Sequence, residues 1–224
     1  MTLLSTLLSF FPLSVLLLAG GAFYYLLLHP SWQGAVALLG AIYLYPVAVF
    51  RLINLFWPLK EGRYDLRQNK YNPWWGSHQI QLIYFACPWL EALLRLIPGV
   101  YSFWLRLWGA KIGKGIYWTP NVQIDDRPLT DIGSGVIIGH KLHFISHVIL
   151  PYKDKLPLYV KRISIGDQCF LGAGSRLGPG VVVENSTCLP ILTEGKINQH
   201  FATGNYITGP NTVQNTGKNT ENPA

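Results

Sequence analysis

Three histidines lie within eight residues of one another in the middle of the chain, at positions 140, 143 and 147. Imidazole has an unperturbed pKa near 6.5, which suits it to accept a proton from an alcohol or an amine at neutral pH. His140, His143 and His147 are therefore candidate general bases. His147 is the first choice because it directly precedes a long break in the sequence pattern, where a bound acceptor would reach it. His140 and His143 occupy regular positions, where we expect residues of the surface or of a subunit seam; the alternative is that one of them orients His147 or binds the acceptor.

Two breaks in the pattern supply loops that are able to carry chemistry. The first is Asp125-Asp126-Arg127-Pro128, and the second covers residues 150–162. An imidazole that works as a base is usually oriented by a second group, and Asp125, Asp126 or Asp154 is available for that role. Loop aspartates are more often solvated, so the sequence leaves the orienting group unidentified.

The elements that position these residues follow from a six-residue period. Apolar residues recur every six positions in three separate series, and a glycine follows many of them. The apolar positions are Ile112, Trp118, Ile124; Ile132, Ile138, Phe144; and Ile165, Leu171, Leu177, Val183, Leu189. The glycines are Gly113, Gly133, Gly139, Gly166, Gly172 and Gly178.

A fixed short period of this kind is typical of a stacked parallel β-helix. Six residues make one short strand and a corner, so three hexapeptides make one triangular coil. The apolar side chains point inward, and we expect the glycines to ease the corners. An antiparallel β domain is the alternative, but it predicts a period of two and hairpin turns. A prism of this size has no interior cavity, so its chemistry must lie on the outside.

The repeats Ile132-Gly133-Ser-Gly-Val136-Ile and Ile165-Gly166-Asp-Gln-Cys169-Phe resemble those of the hexapeptide-repeat acyltransferases. Trp108-Gly109-Ala110-Lys111-Ile112-Gly113, together with Ser146-His147 before an insertion, is similar to the membrane-attached branch of that family. This branch includes terminal domains of some peptide and poly-lysine synthetases. The resemblance covers about residues 100–195 and implies a left-handed β-helix.

The resemblance also implies an activity and a site. The family's catalytic histidine lies just before the insertion, which corresponds to His147, and acyl-CoA or acetyl-CoA is the co-substrate, with no metal. The donor lies between coils of adjacent subunits, so a homotrimer is expected. Gly172, Ala173 and Gly174 would contact the pantetheine arm. The CoA phosphates would meet a basic residue, for which Arg176, Lys161, Arg162 and Lys196 are the candidates.

One departure from the family keeps a second reading open. Close relatives often place an acidic residue after the catalytic histidine, whereas Val148-Ile149-Leu150 follow His147 here. A non-catalytic β-helix scaffold at the membrane is therefore the alternative function. A zinc hydratase resembling carbonic anhydrase is disfavoured, because it needs a histidine pair five residues apart and these spacings are three and four.

The N-terminal part of the chain reads as a membrane hairpin. No Asp, Glu, Lys or Arg occurs before Arg51. Residues 3–28 and 35–57 are each long and apolar enough to cross a bilayer, with a kink expected at Pro46. A cleaved secretory signal is the rival for the first segment, but its basic start is missing. Basic residues cluster just after the second segment, which predicts a multi-pass protein of the inner (plasma) membrane with its catalytic domain cytoplasmic.

Between the hairpin and the repeats, we expect a segment that lies in the membrane interface. Residues 72–76 read as a loop at headgroup depth, and two short amphipathic helices follow between residues 80 and 108. Glu91 and Arg95 share one helix face at i,i+4 spacing. A third and a fourth span are the alternative. The predicted domains are residues 1–58, 59–110, 111–195 for the β-helix acyltransferase, and 196–224 for an extension that ends in a disordered tail.

Composition limits the partners. The net charge is +7, but no stripe of basic and aromatic residues indicates a nucleic-acid surface. The excess of positive charge fits membrane lipids or a phosphate-bearing donor better. The three cysteines, Cys87, Cys169 and Cys188, are scattered without a CxxC pair and predict buried thiols in a reducing compartment.

Overall fold

Short strands in the second half of the chain stack into three parallel sheets in the computed structural model, which describes residues 2–202. The first sheet contains β2 (Tyr117–Trp118), β5 (Ile137–Ile138), β10 (Phe170–Leu171) and β13 (Cys188–Leu189). The second contains β3 (Gln123–Ile124), β6 (His143–Phe144), β11 (Arg176–Leu177) and β14 (Glu194–Gly195). The third contains β4 (Thr130–Ile132), β9 (Ile163–Ile165), β12 (Val182–Val183) and β15 (His200–Phe201).

The chain visits these three sheets in turn, so each turn of the chain forms a triangular coil. Leu171 pairs in register with Ile138 on one side and with Leu189 on the other. The predicted parallel arrangement is confirmed, and its left hand stays a prediction from the resemblance. Pairing continues to Phe201, six residues beyond the predicted end of the repeats at residue 195. The predicted disordered tail lies outside the described residues.

The six-residue period marks the core of the prism. Ten of the eleven apolar positions are at most 7% exposed. Trp118 is the exception, because its ring packs on Tyr101 at 4.8 Å and its indole N–H donates to Ser102. The first coil therefore packs against the helix that precedes it in the chain.

The glycines that follow the inward residues act differently from our expectation. A Cβ on Gly172 would meet the backbone of Pro190, so this glycine permits close approach of neighbouring coils. The positive φ angles of the corners lie two residues later, as at Gly174 (φ +70°) and Gly180 (φ +78°). Asn121 and Asn198 adopt similar angles, which asparagine tolerates better than most residues.

The second break in the repeat is a β-hairpin rather than a loop. β7 (His147–Ile149) and β8 (Pro157–Val160) pair antiparallel, and β1 (Gly62–Asp65) pairs with the other edge of β8. His147 therefore begins a strand of a separate three-stranded sheet. That sheet links the coil to the segment that precedes the repeats.

Two apolar helical segments precede β1. Leu3–Leu28 and Trp32–Phe56 have a mean hydropathy of 2.0 each, and both are long enough to cross a membrane. The first contains α1 (Leu3–Ser9) and α2 (Phe11–Leu28), and the second contains α3 (Trp32–Leu39), a π-helical turn (Gly40–Leu44) and α4 (Tyr45–Phe56).

The π-helical turn ends at Leu44, two residues before Pro46. Proline has no N–H and displaces the carbonyl four residues earlier, which is that of Ile42. This carbonyl accepts a hydrogen bond from the Tyr84 hydroxyl at 2.7 Å, and the next one, of Tyr43, accepts from the Trp104 indole at 3.1 Å. The irregular turn thus anchors the second apolar segment to the helices that follow.

Three helices connect the apolar segments to the repeats: α5 (Pro73–Ala86), α6 (Trp89–Arg95) and α7 (Val100–Trp108). The expectation of a loop at residues 72–76 was wrong, because Asn72 caps α5 by accepting from the Trp74 amide and Pro73 occupies its first turn. The single helix expected before Pro98 is interrupted at Cys87-Pro88 and forms α5 and α6. Orientation relative to a membrane stays a prediction.

Candidate functional site

The imidazole of His147 is bound to a buried carboxylate. Its Nδ1 lies 2.7 Å from Oδ2 of Asp126, whose side chain has no exposed surface, whereas 17% of the His147 side chain is exposed. Asp126 comes from the first break in the repeat and His147 opens β7, one coil later. Asp126 is therefore the orienting group that the sequence left unidentified, and the expectation of a solvated aspartate was wrong.

A tryptophan fixes the same carboxylate from the other side. The Trp74 indole N–H donates to Asp126 Oδ1 at 3.0 Å, and its ring lies 4.6 Å from the His147 ring, centroid to centroid. Since Nδ1 of neutral His147 donates to Asp126, its Nε2 carries the free lone pair. Within residues 2–202 Nε2 has no hydrogen-bond partner, so it is free to accept a proton from a bound molecule.

Burial and charge act in opposite directions on His147. Burial lowers the pKa of His147, but the hydrogen bond and the negative charge of Asp126 outweigh it, and the net effect raises the pKa above 6.5. The cation formed when His147 takes a proton is therefore stabilised by its partner. This is the electrostatic arrangement expected for a general base.

A second imidazole, which the sequence reasoning passed over, packs against the first. The His78 ring stacks on Trp74 at 5.1 Å and stands edge-on to His147 at 5.6 Å. Burial lowers the pKa of His78, so this ring loses its proton at a lower pH than His147 does. Its Nδ1 is buried and has no hydrogen-bond partner among the described residues.

The loop that carries Asp126 is clamped by buried charges. Arg127 is 2% exposed, and its Nη2 lies 2.6 Å from Oε1 of Glu91. Oε1 of Gln81 accepts hydrogen bonds from both the backbone and the side chain of Arg127 at 3.0 Å. The predicted Arg95–Glu91 contact also forms, at 3.2 Å, but the pair is buried rather than on a polar helix face.

The other two histidines have different surroundings. His143 Nε2 lies 2.7 Å from Asp125 Oδ1, so a second His–Asp pair stands next to the first. Asp125 also accepts from the Gln123 side chain at 3.3 Å. His140 is exposed at a corner, and among the described residues its side chain has no hydrogen-bond partner. The structure thus brings two of the three candidate bases together with carboxylates.

The residues expected to bind the donor are divided between two sides of the prism. Arg176 is exposed and pairs in register with His143, so both lie on the outer face of one sheet. Gly172, Ala173 and Gly174 form the corner that leads into this sheet. Arg162 lies before the third sheet, where its guanidinium is 2.6 Å from Asp131 and 3.6 Å from Glu61.

The residues that were missed share one face of α5. Trp74, His78, Gln81 and Phe85 recur at spacings of four, three and four, which is the period of one helix face. The signal was present in Asn72-Pro73, because an N-cap followed by proline at the first position predicts the start of a helix. Reading α5 from residue 73 would have aligned these four side chains.

Comparisons with known proteins return only distant structural matches. No family model and no curated protein matches the chain. A galactoside acetyltransferase in complex with coenzyme A is 12% identical, with a TM-score of 0.36, and the match covers 50% of this chain and 74% of that one. A hexapeptide-repeat acetyltransferase from Vibrio cholerae O1 biovar eltor, complexed with acetyl coenzyme A, is 14% identical, with a TM-score of 0.36 and coverage of 55% and 84%. A maltose O-acetyltransferase from Clostridium difficile 630 is 14% identical, with a TM-score of 0.28 and coverage of 52% and 79%. At these scores the similarity carries no argument for function.

Proposed function

We propose that this protein is a membrane-anchored acyltransferase that moves an acetyl or longer acyl group from acyl-CoA to a hydroxyl or an amine of a lipid-like or carrier-held acceptor. One observation carries the proposal: the 2.7 Å contact between His147 Nδ1 and a fully buried Asp126 carboxylate. A partly exposed imidazole with a fixed tautomer is equipped to take a proton from a bound nucleophile.

In the proposed reaction, Nε2 of His147 accepts the proton of the acceptor hydroxyl or amine. The acceptor oxygen or nitrogen attacks the thioester carbonyl carbon, the carbon–sulfur bond breaks, and the proton on His147 passes to the leaving thiolate. Asp126 stabilises the imidazolium between these two proton transfers. The reaction needs no covalent enzyme intermediate, and the His143–Asp125 pair lies on the neighbouring sheet, with Asp125 next to Asp126 in the chain.

The donor is proposed to lie along the coils next to the His143 face. Gly172, Ala173 and Gly174 would let the pantetheine arm approach the backbone closely, since they have small side chains or none. Arg176 is exposed and forms no ion pair among the described residues, although Glu194 lies opposite it on the next strand, so it is favoured for the phosphates. Arg162 is the weaker candidate, because Asp131 and Glu61 already compensate its charge.

The proposed setting is the cytoplasmic face of the inner membrane. The two apolar segments would form a hairpin, and the basic residues that follow them support this orientation. The left hand of the coil and the homotrimer are proposed from the family resemblance.

The test uses the full chain in isolated membranes, supplied with radiolabelled acetyl-CoA and a lipid extract of the same membranes. We expect label in the lipid fraction with the native chain and a loss of about 100- to 10,000-fold with His147→Ala. His140→Ala is the matched control, because it removes an exposed imidazole from a neighbouring corner. Labelling that survives His147→Ala, with the protein still folded, would refute the proposal and favour the non-catalytic scaffold.

The scaffold alternative rested on the missing acidic neighbour of His147 in the sequence. Asp126 supplies that carboxylate from the preceding coil. No other observation on the described residues favours the scaffold, so the acyltransferase is the single proposal.

A further inference from the structure

Three cavities follow one another around α6 and α7. The first is an apolar groove of about 460 Å³ between these helices and the second apolar segment. The second is a basic pocket of about 560 Å³ between α7 and the first coil. The third, of about 440 Å³, lies between α5, α6 and the corner at Asn121. Ile97 lines the groove and the basic pocket, and Arg95 lines the basic pocket and the third cavity.

The apolar groove is suited to hydrocarbon. Its lining consists of aliphatic and aromatic side chains and Gly40, and the polar atoms of its two polar aromatic residues are already bonded. The Tyr43 hydroxyl donates to the Leu90 carbonyl at 2.8 Å, and the Trp104 indole donates to the Tyr43 carbonyl. A polar ligand would therefore find no partner here, whereas an acyl or isoprenoid chain would bury apolar surface.

The basic pocket carries uncompensated positive charge. Arg95, Arg106 and Lys114 line it, and none of its lining residues is acidic. Arg106 donates to the Ile112 and Gly113 carbonyls at 2.8 and 2.7 Å, but no carboxylate neutralises it within residues 2–202. The exposed Lys114 side chain has no partner in the same part of the chain. Two free cations beside open space fit a phosphate.

The third cavity is separated from the two His–Asp pairs by single side chains. Gln123, which lines it, donates to Asp125, the partner of His143. Phe85 lines it on the other side, and its ring lies 5.3 Å from His78, the neighbour of His147. A head group in this cavity would be the part of a ligand nearest to the proposed base.

We propose that the acceptor is a phosphate-bearing lipid that occupies the three cavities in sequence. Its tail lies in the apolar groove, its phosphate binds Arg106 and Lys114, and its head group extends past Arg95 toward His147. The role as acceptor rests on the proposed acyl transfer, whereas the lipid site itself is independent of that reaction. A hydrophobic cavity, a cationic cavity and a cavity that approaches the neighbours of the base follow one another in the order of the parts of such a molecule, joined at Ile97 and Arg95.

The test measures lipid binding by native mass spectrometry on the full chain in a neutral detergent. Dioleoyl phosphatidylglycerol is titrated as the anionic probe and dioleoyl phosphatidylcholine as the zwitterionic one. We expect preferential binding of phosphatidylglycerol, weakened about tenfold by Lys114→Gln combined with Arg106→Gln. Lys114→Gln alone changes an exposed position and should weaken phosphatidylglycerol binding by a smaller factor. This single variant keeps the test valid if the double variant misfolds. Lys155→Gln removes the same charge from the insertion hairpin and should bind as the native chain does.

A second pair of variants tests the groove. Gly40→Leu places a side chain in it, and a Cβ at Gly40 meets nothing within 4 Å, so the helix tolerates the change. Gly20→Leu is the control, because Gly20 is equally open but lies on α2, outside the groove. We expect Gly40→Leu to weaken binding of both lipids severalfold and Gly20→Leu to leave it unchanged.

Two outcomes overturn the inference: native affinity in both the charge variants and Gly40→Leu, or displacement of phosphatidylglycerol by free CoA, which would assign the basic pocket to the donor. Lipid binding should persist in His147→Ala. Selective binding without acyl transfer to any lipid or carrier-held acceptor would refute the proposed function and leave the lipid site standing. Acyl transfer that is unaffected by these variants would refute the lipid site and leave the proposed function standing.

Discussion

Arg127 and Glu91 form an ion pair of 2.6 Å in which both side chains are almost entirely buried. Arg127 directly follows Asp126, and Glu91 lies on α6, so this pair fixes the loop that presents the carboxylate to His147. A buried pair rarely adds much net stability over apolar residues, but removing one partner leaves an uncompensated charge. The pair therefore holds the site in position, and the loss of either partner would destabilise the fold.

The first prediction concerns this pair. Glu91→Gln should lower the free energy of unfolding by roughly 3–5 kcal/mol, because Arg127 and Arg95 both lose their carboxylate. Thermal unfolding in detergent measures the change. Glu61→Gln is the matched control: its contact with Arg162 is exposed and Arg162 keeps Asp131, so a shift near zero is expected. Equal shifts in the two variants would show that the buried pair is not a structural clamp.

The second prediction concerns the pH dependence of the reaction. The base form of His147 dominates only above its raised pKa, so kcat/KM of the native chain should rise with pH through an inflection above 6.5. Asp126→Asn removes the interaction that raises this pKa and leaves the burial that lowers it. The inflection should therefore move down, and kcat should fall roughly 100-fold or more as the tautomer is lost.

The matching control is Asp125→Asn, which changes the partner of His143 and should move the inflection less. The ion pair of His147 also stabilises the fold below the unfolded-state pKa near 6.5, and this contribution is lost as the pH rises through the higher folded-state value. An unchanged inflection in Asp126→Asn would mean that another group sets the profile.

The third prediction separates the two contacts of Trp74. Trp74→Phe keeps an aromatic ring against His147 but removes the indole donor to Asp126. A hydrogen bond to a buried charged group contributes about 1.5–3 kcal/mol, so we expect a measurable drop in melting temperature and a reduced kcat. Trp75→Phe is the control, because the Trp75 indole nitrogen has no hydrogen-bond partner within the described chain. Similar losses in both would assign the effect to ring packing alone.

The fourth prediction tests the prism itself. Leu177 is fully buried, so Leu177→Ala should cost roughly 2–5 kcal/mol through lost contacts and the cavity left behind. Ile137 points outward and is 46% exposed, and Ile137→Ala should cost far less. Chemical denaturation with circular dichroism at strand wavelengths would compare the two. Comparable costs would contradict the assignment of the inward positions.

The prism was predictable because its signal is local and repeated. Each inward residue recurs six positions later, so errors at Trp118 or at the breaks do not obscure the period. The corner angles were harder to assign, because the conspicuous glycines serve close packing, whereas positive φ angles fall on residues such as Asn121 and Gln168. Sequence alone does not separate these two uses of a small residue.

The site was predictable only in part. His147 stands out by its place before the insertion, but its partner Asp126 comes from a segment that reads as an ordinary polar loop. That loop is buried because α5 covers it, and the contact of Trp74 with Asp126 joins residues 52 positions apart. The period that fixes the coils contains no information about what packs on their outside.

The hydrogen-bonded edge between β1 and the insertion has a consequence for how the molecule is assembled. The strand that begins with His147 joins a sheet whose far edge comes from residue 62, and Leu156 is hydrogen-bonded to Asp65, 91 positions earlier. Within residues 2–202, only β1 pairs with this edge of β8. An excised repeat domain would therefore carry His140, His143 and His147 yet lack β1 and α5, which hold His147 and Asp126 in place, and reactivity would appear only once these two elements have docked.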